Sequence, residues 1–171
     1  GCALLAACSG ASNVFSKKLS ATAVLAPTKG NSVGGTVNFT QKGDVVLVDA
    51  RVNGLKPNGT HGIHIHEKGN CSAADASSAL GHFNPSAAQH GGAVGAPRHG
   101  GDLGNLQADA NGNARMSIEV SGISLGTDAN SIAGRAVIVH ADADDLTTQP
   151  SGNSGARVAC GLISKNPDKF F

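Results

Sequence analysis

Val45-Val46-Leu47-Val48-Asp49-Ala50-Arg51-Val52 is the stretch that decides the fold. Side chains of a β-strand alternate between two faces. One face here holds Val46, Val48, Ala50 and Val52, and the other ends in Asp49 and Arg51. That is a half-buried strand, with one side on a core and one in water. Working outward, residues 20–26 and 32–41 also alternate, and the run around Val48 extends over 44–53. Pro27-Thr28-Lys29-Gly30 and Lys42-Gly43 separate the three, so they read as an antiparallel meander. A fourth strand carries 61–67, and strand-like runs return at 103–108, 114–120, 135–140 and 157–163. Asn111-Gly112 is a hairpin signal between 103–108 and 114–120. Residues 68–101 and 141–156 are dominated by small and polar residues, and long stretches of that kind are usually functional or disordered. Eight short strands and two long loops predict an all-β fold, a closed Greek-key β-barrel or an immunoglobulin-like sandwich.

The composition agrees. The chain has 171 residues, enough for one domain with a substantial core. It carries 24 glycines and 5 phenylalanines, with no tyrosine or tryptophan, which favours turns between strands over a helical bundle. A net charge of +1 without a basic block excludes the electrostatic footprint of a nucleic-acid binder. No run approaches the roughly 18 apolar residues that span a bilayer.

Residues 1–8 read as the end of a signal peptide. Leu5-Ala6-Ala7-Cys8 resembles the bacterial lipobox, whose cysteine is acylated; the alternative is an ordinary signal peptide cut nearby. Residues 9–19 then form a tether and 20–171 the domain. The expected location is the periplasm or cell envelope, with the membrane reached only through a lipid at Cys8. Cys71 and Cys160 remain as an even pair in an oxidising compartment and read as a disulfide. Closing a loop of about 90 residues would contribute roughly 4 to 5 kcal/mol. Metal-binding thiolates are the less favoured alternative, since no CxxC spacing exists.

Six of the 7 histidines fall into four short segments. His64 and His66 lie two apart on a strand, so they share a face while Ile63 and Ile65 point into the barrel. Alone, such a pair is more often two exposed strand histidines. His140 ends the apolar run 136–139 and would add a third rigid ligand; rigid imidazoles suit a redox metal such as copper. His90, His99 and Asp102 sit among glycines, where three ligands awaiting a fourth suit a structural zinc. His82 lies between the groups, and an imidazole with two nitrogens can serve both. His61 has the parity of Ile63 and is expected inward, as a hydrogen-bonded structural residue.

Gly62-Ile-His-Ile-His66-Glu67, Gly81-His-Phe-Asn-Pro85, His99-Gly-Gly-Asp102-Leu-Gly-Asn105, Gly134-Arg-Ala-Val-Ile-Val-His140 and Gly152-Asn-Ser-Gly-Ala-Arg157-Val-Ala-Cys160-Gly161 occur in that order. Over roughly residues 20–163 the chain resembles the copper/zinc superoxide dismutases. The resemblance implies an eight-stranded antiparallel Greek-key barrel and conversion of superoxide to dioxygen and hydrogen peroxide. It implies copper on His64, His66, His82 and His140, zinc on His82, His90, His99 and Asp102, and a Cys71–Cys160 disulfide. Arg157 would attract superoxide at the copper channel, and Asp144 would join a copper histidine, His64, to a zinc histidine, His90. Asp142 and Asp145 are left as loop charges. The runner-up is a copper-delivery protein on the same scaffold, which would be expected to lack a full histidine set or to carry an exposed cysteine motif.

The chain also departs from the family pattern. Only four residues separate His66 from Cys71, as in bacterial members. This segment contributes to subunit contacts in the family, so the departure leaves the dimer mode open; a homodimer is one expected arrangement. Residues 146–156 contain no lysine or glutamate, so the charged loop that steers substrate in many members is missing; Lys68 is a candidate substitute.

Overall fold

Eight strands account for the regular structure of this computed structural model, which describes residues 19–167. Cys8 and the signal-like segment lie outside the described residues. The strands are β1 Ser20–Pro27, β2 Gly34–Lys42, β3 Val45–Asn53, β4 Thr60–His66, β5 Asp102–Gln107, β6 Ala114–Ser121, β7 Ala136–His140 and β8 Arg157–Lys165. Each end falls within two residues of the run read from the sequence. The spatial order is β5-β4-β7-β8-β1-β2-β3-β6, with every pair antiparallel. β1, β2 and β3 form the expected meander, while β4 lies between β5 and β7, and β7 pairs in turn with β8.

The Asn111-Gly112 reading needs correction. A turn does form, with the Gly112 amide donating to Asp109 O at 3.1 Å and Gly112 at φ 77°. Yet β5 pairs with β4 and β6 with β3, at opposite ends of the hydrogen-bonded order. The reason lies in what the turn bonds to. Leu55 N donates to Gly112 O and Asn58 N to Asp109 O, which draws the turn against residues 55–59 at the barrel end. A Cβ on Gly112 would overlap the Leu55 carbonyl, so glycine is needed for that approach as well as for the turn.

Period-two alternation fills the barrel. Val46, Val48, Phe39, Ile63, Ile65 and Leu106 are buried in one core. On β4 the residues between those isoleucines, His64 and His66, face the other way and are nonetheless 0% and 1% exposed. They are covered by loops instead of core. Residues 68–101 return across the outer face of β7 and β8, where Ala76 and Ala79 pack on Ala136, Ile138 and Cys160. The Cys71–Cys160 disulfide fastens this loop to β8 across a separation of 89 residues. Arg135, just before β7, stacks on Phe83 at 3.6 Å and pairs with Glu67 at 3.0 Å, holding the segment that carries His82 against the end of β4.

Candidate metal centre

Six histidines and one aspartate converge on the loop-covered face. Ligand atoms of His64, His66, His82 and His140 lie within 4.8 Å of one another, as do those of His82, His90, His99 and Asp102. His82 belongs to both groups. Its ring stacks on His64 at a centroid distance of 3.9 Å, while its Nδ1 lies 2.9 Å from Asp102 Oδ1 on the other side.

Hydrogen bonds decide which nitrogen of each ring is free. His64 Nε2 donates to Asp144 Oδ2 at 2.7 Å, His66 Nδ1 to the Leu80 carbonyl at 2.7 Å, and His140 Nδ1 to the Gly155 carbonyl at 3.2 Å. Those oxygens only accept, so the opposite nitrogen of each neutral ring carries a lone pair. His64 Nδ1, His66 Nε2, His82 Nε2 and His140 Nε2 are buried, with no hydrogen-bond partner among the described residues. Four unsatisfied acceptors in one pocket would be costly if a cation did not belong there. Copper suits an all-imidazole set of this kind.

The second group passes a similar test. Asp102 Oδ1 lies 2.9, 3.1 and 3.2 Å from Nδ1 of His82, His90 and His99, three nitrogens around an oxygen with two lone pairs. His82 Nδ1 and His99 Nδ1 also face each other at 3.4 Å. Three nitrogens and one carboxylate oxygen so arranged fit a tetrahedral zinc ion. Asp102 Oδ2 is anchored by the Gly91 and His99 amides at 3.0 and 2.8 Å.

Electrostatics favour ligand-ready protonation states. Burial pushes the pKa values of His64 and His66 well below the usual imidazole range, and repulsion from His82 adds to it. Burial also lowers His140 to about 4, against the opposing pull of its bond to Gly155 and with further lowering from His82 and Arg157. These rings are therefore neutral near pH 7, as metal binding requires. For Asp102, burial alone would raise the pKa, but bonds from His82 and from the Gly91 and His99 amides outweigh it and keep the group ionised.

Asp144 stands between the two groups. Its Oδ2 accepts from His64 and its Oδ1 from His90 Nε2 at 2.8 Å, while Asn105 in β5 grips its backbone amide and carbonyl at 2.8 and 2.9 Å. A Cβ on Gly152 would lie 2.6 Å from His90 Nε2 and overlap Asp144 Oδ1, so only glycine leaves room for this bridge. Arg157 donates to the Ala76 and Leu80 carbonyls at 2.8 and 2.6 Å. Leu80 O thus serves both Arg157 and His66, a link with no sequence signal because every residue carries a carbonyl. Leu80 itself adopts φ 62°, ψ −150°, a region that favours glycine. His61 is buried in the barrel and bonds the His140 carbonyl through Nδ1 at 2.9 Å, apart from both ligand groups. Lys68, Asp142 and Asp145 are exposed.

Residues 33–163 match the family model described as copper/zinc superoxide dismutase (SODC). The chain is 42% identical over 160 residues to a superoxide dismutase [Cu-Zn] of Paramecium bursaria Chlorella virus 1, covering 90% of this chain and 82% of the relative. It is 43% identical over 139 residues to an extracellular superoxide dismutase [Cu-Zn] of Haemonchus contortus, covering 75% and 72%. Among solved structures, a double mutant of a SOD-like protein from Bacillus subtilis superposes with a TM-score of 0.76 at 37% identity. That match covers 84% of this chain and 96% of that one.

Proposed function

The chain belongs to the copper/zinc superoxide dismutase family, and from that premise we propose how its residues divide the work. It is a superoxide dismutase with copper and zinc as cofactors, turning two superoxide anions and two protons into dioxygen and hydrogen peroxide. We assign copper to His64 Nδ1, His66 Nε2, His82 Nε2 and His140 Nε2, and zinc to His82, His90, His99 and Asp102. When bound, copper supplies one-electron chemistry and zinc a redox-inert charge that orders the loop.

The protein's own contribution follows from the contacts. β4 and β7 hold three imidazoles on rigid backbone, so little rearranges when charge changes nearby. His82 presents Nε2 to one group and Nδ1 to the other, which lets Nε2 hold a proton and release it toward a reduced oxygen species. Arg157, braced by two carbonyls, offers positive charge to an arriving anion. The observation that carries this reading is four buried imidazole nitrogens without a hydrogen-bond partner among the described residues, on histidines whose ligand atoms lie within 4.8 Å of one another. Steady-state superoxide consumption by metal-reconstituted protein and by His82→Ala tests it. Wild type should consume superoxide and the variant should lose most of that rate. Bound copper with background decay in wild type would instead mark a copper carrier.

Location and assembly extend the proposal. The lipobox-like Leu5-Ala6-Ala7-Cys8 and the disulfide support an exported protein, in periplasm or cell envelope and acylated at Cys8. Cys8→Ala should then abolish incorporation of labelled fatty acid and release the protein from membranes. The β1–β8 register that pairs Ala23 with Ile163 sets Val24 opposite Leu162, and these are 71% and 46% exposed. We propose that a second copy covers this apolar pair. Sedimentation of Leu162→Lys should show a lighter particle than wild type; equal masses would remove this surface from any dimer.

A further inference from the structure

Gln149 lies in the 141–156 loop and has no part in the chemistry above, yet it grips a metal-site residue. Its Oε1 accepts from the His90 amide at 2.8 Å, and its Nε2 donates to the His90 carbonyl at 3.1 Å and the Thr147 carbonyl at 3.0 Å. Rotating the amide by half a turn would set donor against donor and oxygen against two carbonyls, so only one orientation satisfies all three contacts. One side chain thus satisfies both backbone groups of a residue 59 positions away, as a neighbouring strand would. No strand does so: neither residue 90 nor residue 149 belongs to one.

The same loop also holds the His90 ring, through Asp144 Oδ1 at 2.8 Å on Nε2. Three polar groups of His90 are therefore tied to the 141–156 loop, and only Nδ1 is left to face His82, His99 and Asp102. A ring fixed at Nε2 alone could still pivot, because its backbone runs through glycine-rich chain, Gln89-His90-Gly91-Gly92. Fixing the backbone as well removes that freedom. The arrangement parallels the grip of Asn105 on Asp144, so two amide side chains hold the two loop residues that join the sites.

We propose that Gln149 is a positioning residue for the zinc group, a latch from the 141–156 loop that presets His90 for coordination. The inference rests on the assignment of zinc to His82, His90, His99 and Asp102. It is tested on full-length, copper-loaded protein by titrating zinc against a chromogenic chelator, in wild type, Gln149→Ala and Gln149→Glu. The melting temperature of each metal-free form serves as the structural control. Gln149→Ala should raise the apparent zinc Kd by about tenfold or more, the lower end of what outer contacts to metal ligands carry. Gln149→Glu keeps an acceptor for the amide but turns oxygen toward two carbonyls, so it should lose at least as much. Cobalt placed in the zinc group should show altered ligand-field absorption in both variants. Zinc affinity and cobalt spectra equal to wild type, with only the metal-free melting temperature lowered, would overturn the latch. If Asp102→Ala keeps wild-type zinc affinity, the zinc assignment falls, and this inference with it.

Discussion

Replacing Asp144 by asparagine should damage the two metal groups unequally, and the direction can be worked out from its contacts. Asp144 Oδ1 accepts from His90 Nε2 at 2.8 Å and from the Leu146 amide at 2.7 Å, whereas Oδ2 accepts only from His64 Nε2, at 2.7 Å. An asparagine must place its single oxygen on one side. Two donors wait at the Oδ1 position and one at the Oδ2 position, so the oxygen stays with His90 and the NH2 meets His64 Nε2. Two donors cannot bond, so His64 must shift its proton to Nδ1, the nitrogen that points at the other imidazoles. That protonated nitrogen cannot bind copper. The lost charge-assisted bond is worth about 1.5–3 kcal/mol, roughly 10- to 150-fold in copper affinity. His90 keeps a neutral acceptor, so zinc should weaken by about tenfold at most. Asp144→Ala removes both acceptors and should weaken both metals. Parallel chelator competitions for copper and zinc on the two variants measure this. A zinc loss in Asp144→Asn that matches or exceeds the copper loss would refute the tautomer argument.

Three other outcomes follow from the same geometry. Arg157→Glu should lower superoxide consumption at least about tenfold and reverse its dependence on salt, with copper content measured by mass spectrometry unchanged; equal losses of rate and metal would remove the guiding role. In metal-free protein, His64, His66 and His140 have folded pKa values below 6.5, so the unfolded chain takes up protons first as pH falls. Stability should thus be complete above pH 6.5 and decline toward about 4 for His140, by about 1.4 kcal/mol per pH unit for each such ring. Denaturant titrations that stay flat across that interval would contradict the burial of neutral rings. Reducing Cys71–Cys160 should cost roughly 4 to 5 kcal/mol and speed amide exchange in residues 68–80; unchanged exchange there would mean the loop holds without the bond.

The strands were legible because alternation is local chemistry. Val46 to Val52 on one face, or Ile63 and Ile65 against His64 and His66, needs only a period of two. Partner choice was less legible. Asn111-Gly112 specified a turn correctly, but whether the strands either side of it pair depends on residues 55–59 and on the edges of β3 and β4, far away in the chain. The proposed metal-site residues were visible as types, since histidine, cysteine and carboxylate side chains are the common ligands of copper and zinc. What holds them was not. Leu80 contributes a carbonyl, and its leucine hides a backbone conformation that a glycine would have advertised. Gln149 reads as one more polar loop residue until its amide is seen against His90.

Those two kinds of support explain why a loop without lysine or glutamate over residues 146–156 can serve this site. Ligands on β4 and β7 inherit their positions from ladders and core packing, so His64, His66 and His140 need only one outside bond each to fix a tautomer. His90 and His99 have no ladder beneath them and must be held by whatever crosses over them. Asp144, Gly152 and Gln149 lie within nine residues and reach His90 at its ring, its flank and its backbone. Because Asp144 reaches His64 through its other oxygen, the order imposed on the zinc loop passes directly to a ring of the copper group. The loop can therefore lack lysine and glutamate over residues 146–156 without losing its structural task, and Arg157, braced by Ala76 and Leu80, is a cation whose charge is felt by His66 and His140.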